Sequence, residues 1–207
     1  MGAFDLFSIG HSNIPADRFI ALLGDAGADA VADVRSSPYS RFFPWFSRKN
    51  LQARLAQEGM TYMPYGDALG GRPRDVSLYR NGIADYAAMA LTPEFQAGLE
   101  RLQNDASHCR ICLMCAEREP LDCHRCLLVA RALAGRGAAV GHILHDGTIE
   151  PHAATEARLL ALAGEGAGLF ATGQNERLAA AYRRRAGAVA YRLKAGSMGA
   201  KTIAETR

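Results

Sequence analysis

Ile111-Cys112-Leu113-Met114-Cys115-Ala116-Glu117, followed after a short loop by Cys123-His124-Arg125, is the stretch that decides how this chain is read. The apolar run reads as a buried strand ending in a thiol and a carboxylate. A thiol, an imidazole and a guanidinium then stand in a row before an apolar helical pattern. Strand, loop and helix with reactive groups at the junction is where open α/β sheets place their ligand crevices.

The same alternation extends in both directions. Phe4 to Ile9 reads as a strand ending at Gly10, Ala16 to Ala26 as a helix and Asp29 to Arg35 as a second strand. A helix over Ser47 to Gln57 and a strand over Thr61 to Tyr65 follow, then a long loop from Gly66 to Gly82. Ile83 to Ala106 reads as mostly helical with a new start at Thr92-Pro93-Glu94, because proline is tolerated in a first helical turn. His108 to Ala116 is the fourth strand, Asp122 to Ala134 a helix, and Ala138 to His145 the fifth strand before an Asp146-Gly147 turn. Strands alternating with helices predict an α/β domain, a mostly parallel sheet covered on both faces, over residues 1–152. Residues 153–207 read as an Ala- and Arg-rich helical extension. It has helices over Thr155 to Ala163 and Asn175 to Arg185, a short strand over Val189 to Leu193, and a flexible end over the last ten or so residues.

Composition narrows the class. A net charge of +3 on 207 residues does not drive the whole molecule toward polyanions, although Arg177 to Arg207 carries eight basic residues against Glu205 alone. No apolar stretch approaches the roughly 20 residues of a membrane helix, and the N-terminus lacks the marks of a secretory signal. All five cysteines fall between Cys109 and Cys126, which is no disulfide framework; thiols in a reducing cytoplasm are expected.

In a parallel sheet the carboxyl ends of the strands share one edge. Gly10-His11-Ser12-Asn13, Asp33-Val34-Arg35-Ser36, Cys115-Ala116-Glu117 and His142 to Asp146 load that edge with polar groups. Asp33 and Arg35, two apart, face the same side of a strand. They form either a structural ion pair or an oriented fork for an anion. His11 is either structural or a free imidazole behind a glycine. Asp122 is the expected N-cap of a helix with Cys123 in its first turn, where the helix start and Arg125 favour thiolate and an anion. The alternative for both Cys115 and Cys123 is buried filler.

Cys109-x-x-Cys112, Cys112-x-x-Cys115 and Cys123-x-x-Cys126 match the spacing of zinc ligands. On a strand, however, positions three apart face opposite ways, and Cys126, one helical turn on from Cys123, leads with Leu127 and Leu128 into the core, so no metal and no other cofactor is expected. The loop Ser36 to Lys49 mixes five aromatic with three basic residues: a base-stacking surface or an apolar lid. The Arg183-Arg184-Arg185 run is a phosphate-tracking surface or a solvated helix face.

Several of these motifs in one order resemble a known family. Ser8-Ile9-Gly10-His11-Ser12, Asp33-Val34-Arg35 with Pro38 and Ser40, Tyr62 with Leu69-Gly70-Gly71, Cys115-Ala116-Glu117 with Cys123-His124-Arg125, and His142-Ile143 resemble the bacterial and archaeal domain of unknown function 488. The resemblance spans roughly residues 4–150 and implies a compact Rossmann-like three-layer sandwich. It carries no reaction with it. It adds Gly70 and Gly71 to a candidate site with Cys115, Glu117, Cys123, His124 and His11 as catalytic residues. Ser12, Asp33, Arg35 and Arg125 join the two glycines as ligand-binding residues. Three functions stay open: a hydrolase or transferase on a phosphorylated, nucleotide-like or nucleic-acid ligand, a non-catalytic nucleic-acid or nucleotide-binding module, and a structural zinc protein. The expected partners are an anionic small molecule or nucleic acid, with no membrane contact.

Overall fold

A computed structural model describes residues 4–164 and 173–193. The strands are β1 (Leu6–Gly10), β2 (Ala30–Asp33), β3 (Thr61–Pro64), β4 (Tyr79–Arg80), β5 (Ile83–Ala84), β6 (Ile111–Cys115), β7 (Val140–Ile143) and β8 (Ile149–Pro151). β4 and β5 form a separate hairpin; the others make one sheet in the order β3-β2-β6-β1-β7-β8. Every pairing in it is parallel except β7 with β8. The α/β class and the mostly parallel sheet expected from the sequence are what the chain forms. Among the described residues no helix is long and apolar enough to cross a membrane.

Strand alternation sorts the core into two layers. Cys112 and Met114 of β6 join Phe7, Ile9 and Val31 beneath α1 (Ala16–Asp25) and α2 (Arg48–Gln57). Ile111, Leu113 and Cys115 face the other way, toward α3 (Gly66–Leu69), α4 (Tyr86–Met89) and α5 (Pro93–Ala106). The same layer holds a π-helical segment, Arg125–Ala130, that runs into α6 (Arg131–Gly135), and also α7 (His152–Ala163) and α8 (Gln174–Val189). With both faces covered, β1, β2, β6 and β7 are buried throughout. Leu159, Ala181 and Tyr182 bring α7 and α8 into this core.

Several elements differ from the sequence reading, and the stretch from Gly66 to Gly82 expected as a loop carries α3 and β4. Ile83–Ala84 is a strand, not a helix start, because Asn81 and Gly82 both adopt positive φ (52° and 74°). That is the two-residue hairpin geometry an Asn-Gly pair favours. β8 returns antiparallel after the Asp146-Gly147 turn, held by the Asp146 carboxylate accepting from Thr148 N–H at 2.9 Å. α8 continues through Val189, and Arg192 beyond it makes an isolated bridge to Ile83 in place of the expected strand. The expected break at Thr92 is present: its hydroxyl accepts from Phe95 N–H and Pro93 opens α5. The flexible end and the last basic residues, Lys194, Lys201 and Arg207, lie outside the described residues.

Candidate active site

The carboxyl ends of β1, β2 and β6 open on a cleft of about 310 Å³ that reaches His11, Arg35, Cys115, Glu117 and His124. Close backbone approach builds it. His11 N–H donates to the Cys115 carbonyl (2.9 Å) and Ser12 N–H to that of Ala116 (2.8 Å), lacing the two loops together. A Cβ on Gly10 would lie 1.7 Å from the Glu117 carbonyl oxygen, so only glycine permits this approach. Gly71 packs on the opposite side, where a Cβ would meet the His124 ring at 2.6 Å.

Cys115, Glu117, Cys123 and His124 form the centre. Glu117 Oε2 lies 2.9 Å from Cys115 Sγ and 3.1 Å from Cys123 Sγ, although Glu117 as a residue stays open to solvent. His124 Nε2 donates to the Val34 carbonyl at 2.9 Å. The other nitrogen, Nδ1, therefore faces both sulfurs, at 3.7 and 3.9 Å, and carries an unshared pair toward them when the ring is neutral. Burial raises the Cys115 thiol well above its ordinary range, with Cys123 and Glu117 adding to it. Burial pushes Cys123 the same way but loses to Cys115, Arg125 and His124, which hold its thiol well below its ordinary range. Although the residue as a whole is exposed, desolvation of its carboxylate against the two sulfurs raises Glu117, reinforced by Cys123. His124 is raised despite burial, since Cys123 favours its protonated form.

Asp33, Arg35 and His11 form a second group. The Asp33 carboxylate accepts from Arg35 Nε (2.8 Å), Arg35 Nη2 (2.6 Å) and Tyr62 Oη (2.7 Å). Arg35 Nη1 donates to His11 Nε2 at 3.2 Å, because His11 Nδ1 is committed to the Ser12 carbonyl at 2.9 Å. Of the five guanidinium N–H groups, Nη1 and Nη2 keep one each. His11 stacks on Phe46 with ring centroids 4.1 Å apart. Burial, with Arg35 beside it, lowers its pKa to about 4 against the pull of the Ser12 carbonyl, so it is neutral at neutral pH.

Three residues named from sequence stand elsewhere. Arg125 does not reach the cleft. It is fully buried, with Nη1 and Nη2 donating to the Glu117 and Arg118 carbonyls (2.6 and 2.9 Å), so it braces the loop that carries Glu117. Ser12, at φ 44°, directs its hydroxyl to Asn13. Gly70 borders a neighbouring cleft beside Gly66 and Ser36. Asp122 is no helix cap either: it ends a 3₁₀ turn, Pro120–Asp122, and pairs with Arg185. Cys123 itself takes the capping place. Its backbone is extended, its carbonyl accepts from Cys126 and Leu127 N–H, and its Sγ accepts from Arg125 N–H at 3.4 Å.

The x-x-spaced cysteines do not pair. Cys112 and Cys115 belong to opposite layers, Cys109 turns to the Asp105 carbonyl, and Cys126 lies with His142 and His152. Cys115 and Cys123, eight apart, are the thiols that meet. The aromatic loop divides: Phe46 is buried under His11, while Tyr39 and Phe42 are 72% and 79% exposed. Of the arginine run, Arg185 is docked on Asp122. Tyr86, Arg72 and Tyr191 also line the cleft, and Tyr62 orients Asp33. Tyr62 carried a sequence signal through its motif. The other three lie on α4, the loop before β4 and the segment after α8, where only the fold brings them in.

No curated protein and no solved structure gives a match to the chain. One family model does, over residues 15–132, a narrower span than the motifs suggest, since His11 and Ser12 precede it and His142 follows it. The match covers more than half of the 207 residues and includes the Asp33, Gly70-Gly71, Cys115-Glu117 and Cys123-His124-Arg125 motifs, and on it the chain belongs to the family described as domain of unknown function DUF488.

Proposed function

We propose that the protein is an enzyme of hydrolase or transferase type acting on a phosphorylated, nucleotide-like substrate held at the carboxyl edge of the sheet. The observation that carries this reading is the position of Glu117: its Oε2 touches two buried thiols while the residue faces the cleft. A carboxyl raised by desolvation and by Cys123 is suited to moving a proton. Arg35 keeps two N–H groups for an anion, and Arg72 adds a second guanidinium. Tyr39 at the rim exposes a ring on which a base can stack. Glu117 and Asp122 share the cleft with these cations. A ligand with an anionic group and a separate reacting centre therefore suits it better than a bare polyanion. His11, neutral and hydrogen-bonded at both nitrogens, positions Arg35. A second reading, nucleic-acid binding without turnover, draws on exposed Phe42 with Arg41 over its ring at 5.8 Å.

The test is thermal shift with inorganic phosphate, nucleoside mono- and diphosphates and a short single-stranded oligonucleotide, followed by product analysis. At least one ligand raises Tm and is consumed; Arg35→Lys weakens its binding about 10-fold or more, since the fork is lost. Binding that falls steeply with salt and yields no product favours the second reading. A Tm unmoved by every ligand, or full turnover by Glu117→Gln, would defeat the proposal.

A further inference from the structure

The cysteine, histidine and carboxylate atoms at the head of the cleft have a geometry that goes beyond acid–base work. The donor atoms of Cys115, Glu117, Cys123 and His124 all lie within 4.8 Å of one another. Both sulfurs stand 3.7 and 3.9 Å from His124 Nδ1. Donors around a tetrahedral zinc ion, at about 2.3 Å for sulfur and about 2.0–2.1 Å for nitrogen, are separated by about 3.5 Å or slightly more. The His124 ring is also held as metal-bound imidazoles are held: one nitrogen donates to a backbone carbonyl, Val34 O, and this fixes the tautomer that aims the other at the site. Gly71 allows the ring to sit there, because any side chain would displace it.

We propose that Cys115, Cys123 and His124 bind a zinc ion, with Glu117 beside the position left open to the cleft. Two thiolates and an imidazole are a zinc donor set. The three are buried and Glu117 is exposed, which separates three fixed ligands from one side open to the cleft. Loading releases the thiol protons, since the thiolate is the ligand. Zinc so held supplies a Lewis acid for water or a substrate oxygen, and Glu117 is placed to take the proton. Cys126, His142 and His152 serve as the internal contrast. They are equally close together, but His142 bonds Ser8 and His152, and His152 bonds His142 and Tyr182, so every ring nitrogen is engaged.

The proposal rests on the cleft being the working site and names its metal. The experiment is elemental analysis of the full, untagged chain as purified, then after chelator stripping and reloading with Zn²⁺ alone or Co²⁺ alone. About one equivalent of zinc per chain is expected. Co²⁺ should give thiolate-to-metal charge-transfer absorption in the near ultraviolet, a readout that needs no variant. Cys115→Ser and Cys123→Ser should each lower zinc affinity more than about 100-fold, beyond the effect of an outer-shell change, while His142→Asn loads normally. Reloaded wild type with less than about a tenth of an equivalent of zinc, cobalt protein without the thiolate band, stoichiometric iron in place of zinc, or full loading of both serine variants would each overturn it. Metal-free protein that still binds an anion through Arg35 and loses turnover in Glu117→Gln would sink the zinc centre and leave the enzyme standing. Stoichiometric zinc on these ligands without anion binding would uphold the centre and defeat the enzyme reading.

Discussion

Cys126, His142 and His152 bring their donor atoms as close together as Cys115, Glu117, Cys123 and His124 do, yet the second group opens on the cleft and the first does not. Its two histidines belong to a buried chain running from Ser8 Oγ through His142 and His152 to Tyr182 Oη and Glu156, with links of 2.7, 2.9, 3.1 and 2.8 Å. Its groups satisfy one another, as buried polar groups must. In the second group His124 Nδ1 faces only the two sulfurs and Glu117 keeps an outward face. Proximity of ligating residues thus separates nothing by itself; what separates the two groups is whether their hydrogen-bonding capacity is already used. The closed chain ties α7 and α8 to the sheet, and the open group is left for chemistry.

The largest effect should come from the open group. Glu117→Gln keeps the shape and the hydrogen-bonding reach but removes the proton acceptor. Turnover should fall by about 10²–10⁴-fold, the usual contribution of general acid–base catalysis, with Tm held within a few degrees. Steady-state rates and a thermal melt on the same sample check this. A rate near wild type would erase the distinction between the groups.

The closed chain should respond the other way. His142→Ala empties a buried site and strands the Ser8 hydroxyl and one His152 nitrogen. A cavity and two unsatisfied polar groups together cost about 3–5 kcal/mol, read from urea denaturation, while the cleft keeps its ligand binding. A variant of normal stability that loses binding would show that the two groups are coupled.

Much of this contrast was legible in the chain and part of it was not. Period-two spacing along β6 assigns Ile111, Leu113 and Cys115 to one layer and Cys112 and Met114 to the other, and that much can be read from the residues alone. The convergence of Cys115, Glu117, Cys123 and His124 follows from a strand end and the helix start after it. The fate of Arg125 does not. The same guanidinium serves a ligand or a loop according to which carbonyls lie within reach, and the loop's path is a tertiary matter. The pairing of His142 with His152 was hidden for a similar reason, because β8 is three residues long and is held by pairing with β7 rather than by its own pattern. Its Asp-Gly turn was visible; the strand was not.

Acid should erode the fold through histidines held neutral. Burial and Arg35 lower His11 from 6.5 to about 4, and burial with the neighbouring His152 lowers His142 well below its ordinary value. The unfolded chain therefore takes up protons near pH 6.5 that the folded chain refuses. The stability these groups confer is complete above pH 6.5 and is lost as pH falls toward 4. His11 alone accounts for about 3 kcal/mol by linkage. Denaturation midpoints measured from pH 7.5 down to 4.5 should stay level to about pH 6.5 and decline below it, and His11→Asn should flatten the slope. A wild-type midpoint that is level over this range would mean that these imidazoles are solvated.

The smallest effect tests whether the C-terminal helix matters to the open group. Arg185 on α8 pairs with Asp122, immediately before Cys123, and its Nε donates to the Leu121 carbonyl at 3.0 Å. Both partners are partly exposed, so solvent screens the pair and it contributes about 0.5 kcal/mol. For a chain of this size that amounts to a Tm decrease of about 1–2 °C in Arg185→Ala. Because the backbone of Cys123 is also held by its own capping bonds, ligand binding and turnover should stay within about twofold of wild type. A larger loss of activity than of stability would place α8 among the elements that position Cys123. The difference between the two groups would then be one of degree, with both depending on the same helix.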